Sequence, residues 1–448
     1  MSRIERPDLK RPERARALTG VEDLIREGLA PEAARADLAR VAEGFRIRIS
    51  PAMATNPAPG VRDQFLPDPR EMQILPEELA DPIGDAVHRP RLGPHGAAVE
   101  GASAGDMAGG QAETEPAPPS QAEGPVPGLT HRYPDRVILH ATQTCEVYCR
   151  FCFRREAVGE GGALAEAEFL RVLAYLSDHP EIWEVILTGG DPLVLSPRRI
   201  GDMLARLARI GSVKVIRFHS RIPVVAPERI TPALIAALNG PRGGMAGEGA
   251  QGAARGDSGN GMARAGEGGP EAAASLIATP APAADSERET SAPSPAWPAV
   301  WMVVHTNHPD EITPRAGAAL SMLVEAGIPV LSQSVLLRGI NADPDVLEAL
   351  FRRLIAHRVK PYYLHHPDLA KGTGHFRLPL AEGRRIFAAL RGRISGTALP
   401  TYVLDIPGGH GKVPVNADYL EPLGHDGLGP GDWIVTDPKG HRHRYRDL

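Results

Sequence analysis

The chain's only three cysteines lie together, as Cys145-Glu-Val-Tyr-Cys149-Arg-Phe-Cys152. They follow a strand-like run, Val137–Thr142, which puts them in a loop at a strand's carboxyl end. Three thiolates can hold three irons of a cubane cluster and leave the fourth open to a ligand. A cluster that only carries electrons takes four cysteines. A structural zinc is the competing chemistry, but closed zinc sites favour four protein ligands, and the nearest histidine, His140, lies on the preceding strand. A second constellation is Thr188-Gly189-Gly190-Asp191-Pro192. Its glycines would let backbone approach a ligand closely, and Asp191 could accept from an ammonium group. The same residues also make an ordinary turn. A third is Gly408-Gly-His-Gly-Lys412. A phosphate-binding loop would need Ser or Thr after the lysine and then a helix, whereas Val413 and Pro414 follow. A lysine that captures a carbonyl cofactor and a plain surface lysine in a glycine turn both remain open.

Elements of regular spacing must position these groups. Strand-like runs are Val137–Thr142, Glu184–Leu187, Val213–His219, Val300–His305, Val330–Leu336 and Tyr362–His365. Helical periodicity lies between them. Phe169, Val172, Leu173 and Leu176 share one face of 165–176, and Val346, Leu347, Leu350, Phe351 and Leu354 share one face of 346–355. Six consecutive β–α units predict an α/β fold, a partial (β/α)6 barrel of parallel strands with right-handed crossovers and chemistry at the strands' carboxyl ends. A doubly wound open sheet is the structural alternative. Two stretches, 92–124 and 240–297, are rich in Gly and Ala, with Pro and Glu in the first and Ser in the second. Neither can bury enough apolar surface to offset ordering entropy, so both are expected to be flexible inserts. The expected organisation is an N-terminal, mostly helical domain (1–91), barrel halves at 125–239 and 298–400, and a small C-terminal extension (401–448) that carries Lys412.

Taken in order, the motifs resemble those of lysine 2,3-aminomutases, and the cysteine spacing resembles the radical S-adenosylmethionine (SAM) signature. They are His131-Arg-Tyr-Pro-Asp-Arg136, the cysteine loop with Arg154-Arg155, the Gly-Gly-Asp element, His219-Ser-Arg-Ile-Pro223, His305-Thr-Asn-His-Pro309, Ser332–Gly339, Pro361-Tyr-Tyr363 and Pro407–Lys412. The resemblance runs from about Gly44 to Tyr445, interrupted by the two inserts. It implies a 4Fe–4S cluster on Cys145, Cys149 and Cys152 whose open iron chelates SAM. Gly189, Gly190, Asp191, Ser220, Arg221 and His305 would line the SAM site. It further implies pyridoxal 5′-phosphate (PLP) on Lys412, with Arg132 and Tyr133 at its phosphate and Gln333 nearby. Arg154 would receive the substrate carboxylate, and Asp368 and Asp405 the side-chain ammonium of lysine. The implied reaction is an isomerisation: a 5′-deoxyadenosyl radical starts the shift of lysine's 2-amino group to C3, giving β-lysine.

Two acids at the far end count against glutamate as substrate. The enzyme that modifies a lysine of elongation factor P is similar too, notably over Arg150–Arg155. Asp405 and the Pro-Gly-Gly-X-Gly-Lys context favour free L-lysine. Two departures stand out. Some members bind zinc across subunits through a cysteine-rich C-terminus; the sequence holds no cysteine outside the loop, so zinc is not expected and a homo-oligomer is left open. His365 stands where the best-known members have tyrosine.

Hydrophobic content of 42% supports a substantial core, and a net charge of −5 gives no bulk attraction for nucleic acid or a bilayer. Met1–Arg16 is charged without an apolar stretch, so no secretory signal is expected. No run approaches the roughly 20 apolar residues of a membrane span. Three thiols in one cluster motif, with none left for disulfides, fit a reducing cytoplasm. The expected partners are a small amino acid and a one-electron reductant of the flavodoxin or ferredoxin class.

Overall fold

The computed structural model describes residues 16–92, 98–99, 124–159, 161–241, 297–416, 418–423 and 431–446. Nearly all of the two stretches expected as inserts lies outside the described residues.

Cap-proline pairs in the sequence set the starts of the barrel helices. Ser196-Pro197, Thr231-Pro232, Thr313-Pro314 and Asp343-Pro344 each place an oxygen acceptor before a residue whose φ is already helical. Each caps as expected: Ser196, Thr231 and Thr313 accept from the amide three residues on, and Asp343 from Asp345 N. The α-helices longer than one turn are α1 (Val21–Arg26), α2 (Arg35–Gly44), α3 (Glu166–Asp178), α4 (Pro197–Leu207), α5 (Pro232–Asn239), α6 (Pro314–Glu325), α7 (Pro344–Ala356) and α8 (Leu380–Leu390). Phe169, Val172 and Leu176 on α3, and Leu347, Leu350, Phe351 and Leu354 on α7, are fully buried against the sheet.

The sheet has nine strands in sequence order. They are β1 (Leu129–Tyr133), β2 (Arg136–Thr142), β3 (Glu184–Gly189), β4 (Val215–Ser220), β5 (Ala299–His305), β6 (Val330–Val335), β7 (Lys360–His365), β8 (Thr401–Asp405) and β9 (Lys412–Pro414). Strands β2 through β8 pair in parallel, and the edge strands β1 and β9 are antiparallel. All six expected strands are present. The sheet goes further: Thr401–Asp405, read from sequence as the start of a tail, is a seventh parallel strand reached through α8, with Tyr402 and Val403 buried.

Strand pairing does not close this barrel. Its two edges meet instead through side chains: Lys412 N donates to Tyr133 Oη at 3.2 Å, and Arg132 Nη1 lies 4.0 Å from Asp405 Oδ1. Residues 81–88 fill the seam. Arg132 Nη2 donates to Ile83 O, Gly408 N donates to Pro82 O at 3.0 Å, and His88 Nε2 lies 3.0 Å from Gly409 O. The fit requires Gly84, whose φ is +67° and whose added Cβ would stand 2.7 Å from Gly408 O.

Residues ahead of the sheet are part of its core. Leu24, Leu38, Val61 and Phe65 belong to the same buried cluster as the barrel residues. A separate three-stranded antiparallel sheet, β10 (Leu420–Leu423), β11 (Asp432–Thr436) and β12 (Arg442–Arg446), follows near the C-terminus. No helix among the described residues is long and apolar enough to cross a membrane.

Candidate active site

A cavity of about 790 Å³ lies inside the barrel, lined by residues of all nine strands and of the loops that follow them. Every site residue named from sequence lines it: the three cysteines, Gly189–Asp191, Ser220, Arg221, His305, Arg132, Tyr133, Gln333, Arg154, Asp368, Asp405 and Lys412.

The cysteine loop leaves β2 and is held from two sides. On one side is the Gly-Gly-Asp turn after β3. Gly190 N donates to Thr142 O at 2.6 Å, and Asp191 N to Thr144 O at 2.9 Å. A Cβ on Gly189 would meet Thr142 O at 2.6 Å, and one on Gly190 would meet Thr144 O at 2.3 Å. The backbone that these glycines admit closely is therefore that of the cysteine loop. Asp191 turns away from the solvent and accepts from Ser220 Oγ, Arg221 N, Leu193 N and Ile222 N at 2.7–3.2 Å. Burial pushes its pKa up while these four donors pull the other way. In this arrangement Asp191 ties β4 to the turn after β3.

On the other side is the N-terminal segment, which sequence reasoning left out of the site. Arg150, between the second and third cysteines, is completely buried and donates to both Glu71 oxygens, at 2.8 and 2.6 Å. Arg155 Nη2 reaches the same carboxylate at 2.5 Å. Arg221 forms a second buried pair, with Glu311 at 2.9 Å, and aims Nη1 at Cys149 Sγ, 2.7 Å away. Gln64 Nε2 and the amides of Asn307 and His308 complete the Glu311 carboxylate.

Burial raises the pKa of all three thiols, that of Cys152 to about 11, so they are protonated at neutral pH unless a metal claims them. Among the described residues no three His, Cys, Asp or Glu side chains converge around a single ion. Three neighbouring thiols that line the same cavity are the donor set a cubane takes, each ligand sulfur on a separate iron. His219 and His305 line the same cavity. Each has a buried Nε2 without a hydrogen-bond partner, and burial pushes both pKa values well down, so both rings are neutral. Unanswered polar atoms of this kind suit a polar ligand such as SAM.

A second wall is built on the seam. Gly408, Gly409 and Gly411 all have φ near +90°, which reverses the chain so that β9 pairs back on β8 with Lys412 directly opposite Asp405. Lys412 Nζ donates to Asp405 Oδ1, and His365 Nδ1 lies 3.2 Å from Asp405 Oδ2. Burial alone would raise the Asp405 pKa; His365 and Lys412 outweigh it and hold the carboxyl at about 2. Asp368 faces the same cavity with no hydrogen bond or ion pair to any described residue. Burial, with the Asp405 charge beside it, pushes Asp368 up to about 7. Arg132 has a buried, unpartnered Nε, the kind of donor that an incoming phosphate would satisfy. Arg154 Nε donates to Asp85 Oδ2 at 2.6 Å.

The residues named from sequence for both walls line one cavity; Glu71, Glu311, Gln64 and Asp85 were not among them. Only the Arg-rich stretch 150–155 hinted at buried acids, because buried guanidinium groups need them.

An open β/α barrel with a three-cysteine loop after its first parallel strand and a lysine on its last hairpin defines the class. The family model described as Lysine-2,3-aminomutase matches residues 387–426. A putative L-lysine 2,3-aminomutase of Aquifex aeolicus is 38% identical over 67% of this chain and 66% of its own length. One of Treponema pallidum is 33% identical over 66% of this chain and 68% of its own. A glutamate 2,3-aminomutase of Clostridioides difficile is 31% identical over 66% of this chain and 58% of its own. The chain belongs to the lysine 2,3-aminomutase family, and it spans less than two thirds of the length of two of these three relatives. A radical SAM methyltransferase from Sphaerobacter thermophilus superposes with a TM-score of 0.34 at 16% identity, over 62% of this chain and 68% of that one. That likeness is too loose to bear on function.

Proposed function

We propose that this protein moves the 2-amino group of free L-lysine to C3, using a 4Fe–4S cluster with SAM on one wall of the cavity and PLP on the other. The observation that carries the choice of lysine is Asp368, an unpaired carboxyl beside Asp405 in the cavity that Arg154 also lines. A zwitterion with a second, distal ammonium satisfies both ends at once. Glutamate would bring a third carboxylate towards two acids, a like-charge contact that costs several kcal/mol, roughly, in a buried site.

SAM bound to a reduced cluster supplies a carbon radical, and PLP supplies an electrophilic carbon that carries the migrating nitrogen. Cys145, Cys149 and Cys152 would hold the cluster, and His305 with the Ser220–Arg221 turn would line SAM. Arg132 and Tyr133 would hold the phosphate of PLP, with Gln333 at the ring, and Lys412 would bind its carbonyl carbon. Lys412 must then leave Asp405, which frees that carboxylate to share the substrate's ammonium with Asp368. The walls keep the reacting atoms in contact and exclude water.

The test is anaerobic reconstitution with iron, sulfide and PLP, then mass spectrometry of lysine incubated with SAM and a strong reductant. β-Lysine is the expected product. Conversion of glutamate, or of the acceptor lysine of elongation factor P, with free lysine left untouched would overturn the reading. Borohydride reduction followed by peptide mapping should place PLP on Lys412; labelling of Lys360 or Lys371 would refute that part.

A further inference from the structure

Asp85 comes from outside the barrel, on the segment that fills the seam, yet its carboxylate stands between two cavity arginines. Oδ2 accepts from Arg154 Nε at 2.6 Å, and Oδ1 lies 3.8 Å from Arg132 Nη2. The residue is pinned before any ligand arrives. Asp81 accepts from the amides of Asp85 and Ala86 at 2.9 and 2.8 Å, and Asp85 O receives Thr130 Oγ1. The Asp85 and Arg154 side chains are both largely buried, at 16% and 12% exposure, so the pair is shielded from solvent screening.

A guanidinium offers five N–H groups on a rigid fork. Asp85 takes Nε. Among the described residues nothing hydrogen-bonds to Nη1 or Nη2 of Arg154, so the edge between those two nitrogens remains for a bidentate carboxylate. Without Asp85, the long side chain could present either edge, at different depths in the cavity.

We propose that Asp85 is a positioning residue: it holds Arg154 so that an amino acid's α-carboxylate is taken only on the Nη1–Nη2 edge. This fixes how far the rest of the molecule extends towards Asp368. The inference rests on the assignment of Arg154 to the substrate carboxylate. Asp85 itself touches neither substrate nor cofactor.

The test compares two ligands of the PLP- and SAM-loaded protein by calorimetry: L-lysine, and 1,5-diaminopentane, the same chain without a carboxylate. Wild type should bind lysine more tightly. In Asp85→Ala the lysine Kd should rise on the order of ten- to a hundredfold, the loss expected from one charge-assisted contact, while the diamine Kd stays within about twofold. In an Arg154→Ala background the Asp85 substitution should add nothing further, since the pair acts as a unit.

Equal weakening of both ligands would reduce Asp85 to a packing role and overturn the proposal. Tighter lysine binding would also overturn it, because Asp85 would then be competing with the carboxylate. So would a full additional loss in the Arg154→Ala background. Turnover is scored separately. A protein that binds lysine with this Asp85 dependence but makes no β-lysine refutes the reaction and leaves the positioning role standing.

Discussion

The two walls of the cavity solve opposite problems. On the cysteine wall almost every buried charge is answered by protein. Glu71 receives Arg150 and Arg155, Glu311 receives Arg221, and Asp191 accepts four hydrogen bonds. On the lysine wall several answers are missing among the described residues. Asp368 has no hydrogen bond or ion pair, Arg132 Nε and Asp85 Oδ1 are buried without a hydrogen-bond partner, and Arg154 has a free edge. The first wall is organised as a folded core is, with its geometry complete before anything binds. The second is completed by the charges of a ligand, and so it is the wall that can discriminate among ligands.

That contrast can be broken in several ways. The largest effect should come from Cys149→Ala, which removes one of three cluster ligands and should abolish both the reduced cluster's spin-resonance signal and SAM cleavage. Retained SAM cleavage would remove the cluster from this loop. Next is Glu71→Ala, which leaves Arg150 buried and uncompensated. The expected loss is about 3–5 kcal/mol in urea unfolding of the cluster-free protein. A loss under about 1 kcal/mol would mean that the cysteine wall is not preorganised by this pair.

Asp368→Asn should behave in the opposite way. A carboxyl with its folded pKa raised from 3.8 to about 7 costs stability progressively as pH rises between those values, and the full cost is present above the higher one. The variant should therefore be at least as stable as wild type at pH 8, with no gain at pH 3.5. Destabilisation at pH 8 would show that Asp368 has a protein partner after all, and the contrast between the walls would fail.

The smallest effect is on the pH profile. Binding an ammonium requires Asp368 as carboxylate, so kcat/KM for lysine should climb with pH and level off above about 7. The step should vanish in Asp368→Asn. A wild-type profile flat from pH 6 to 8 would contradict this.

What could be read from sequence was whatever lay in local spacing. The cysteine triplet, Gly189–Asp191 and the glycine turn before Lys412 are each set by a handful of adjacent residues, and the parallel strands by short apolar runs. What could not be read was set by partners far along the chain. Glu71 meets Arg150 across 79 positions and Asp85 meets Arg154 across 69. An isolated Asp or Glu in a polar stretch carries no mark of the arginine it will face. The glycines were read for the close approach they permit, and among the described residues the backbone that approaches Gly189 and Gly190 is the chain's own. Thr401–Asp405 was read with strand character but outside the barrel, because it follows a turn-rich connection from α8.

The seam between β1 and β9 gives the cavity a mechanical meaning. Across the seam Tyr133 of β1 holds Lys412 of β9 and Arg132 of β1 lies near Asp405 of β8, as staves would in a barrel without a hoop. A molecule gripped by its phosphate on one stave and bonded to the lysine of the other would be that hoop. Its binding free energy would then count as folding free energy, and its departure would loosen the molecule along that one line.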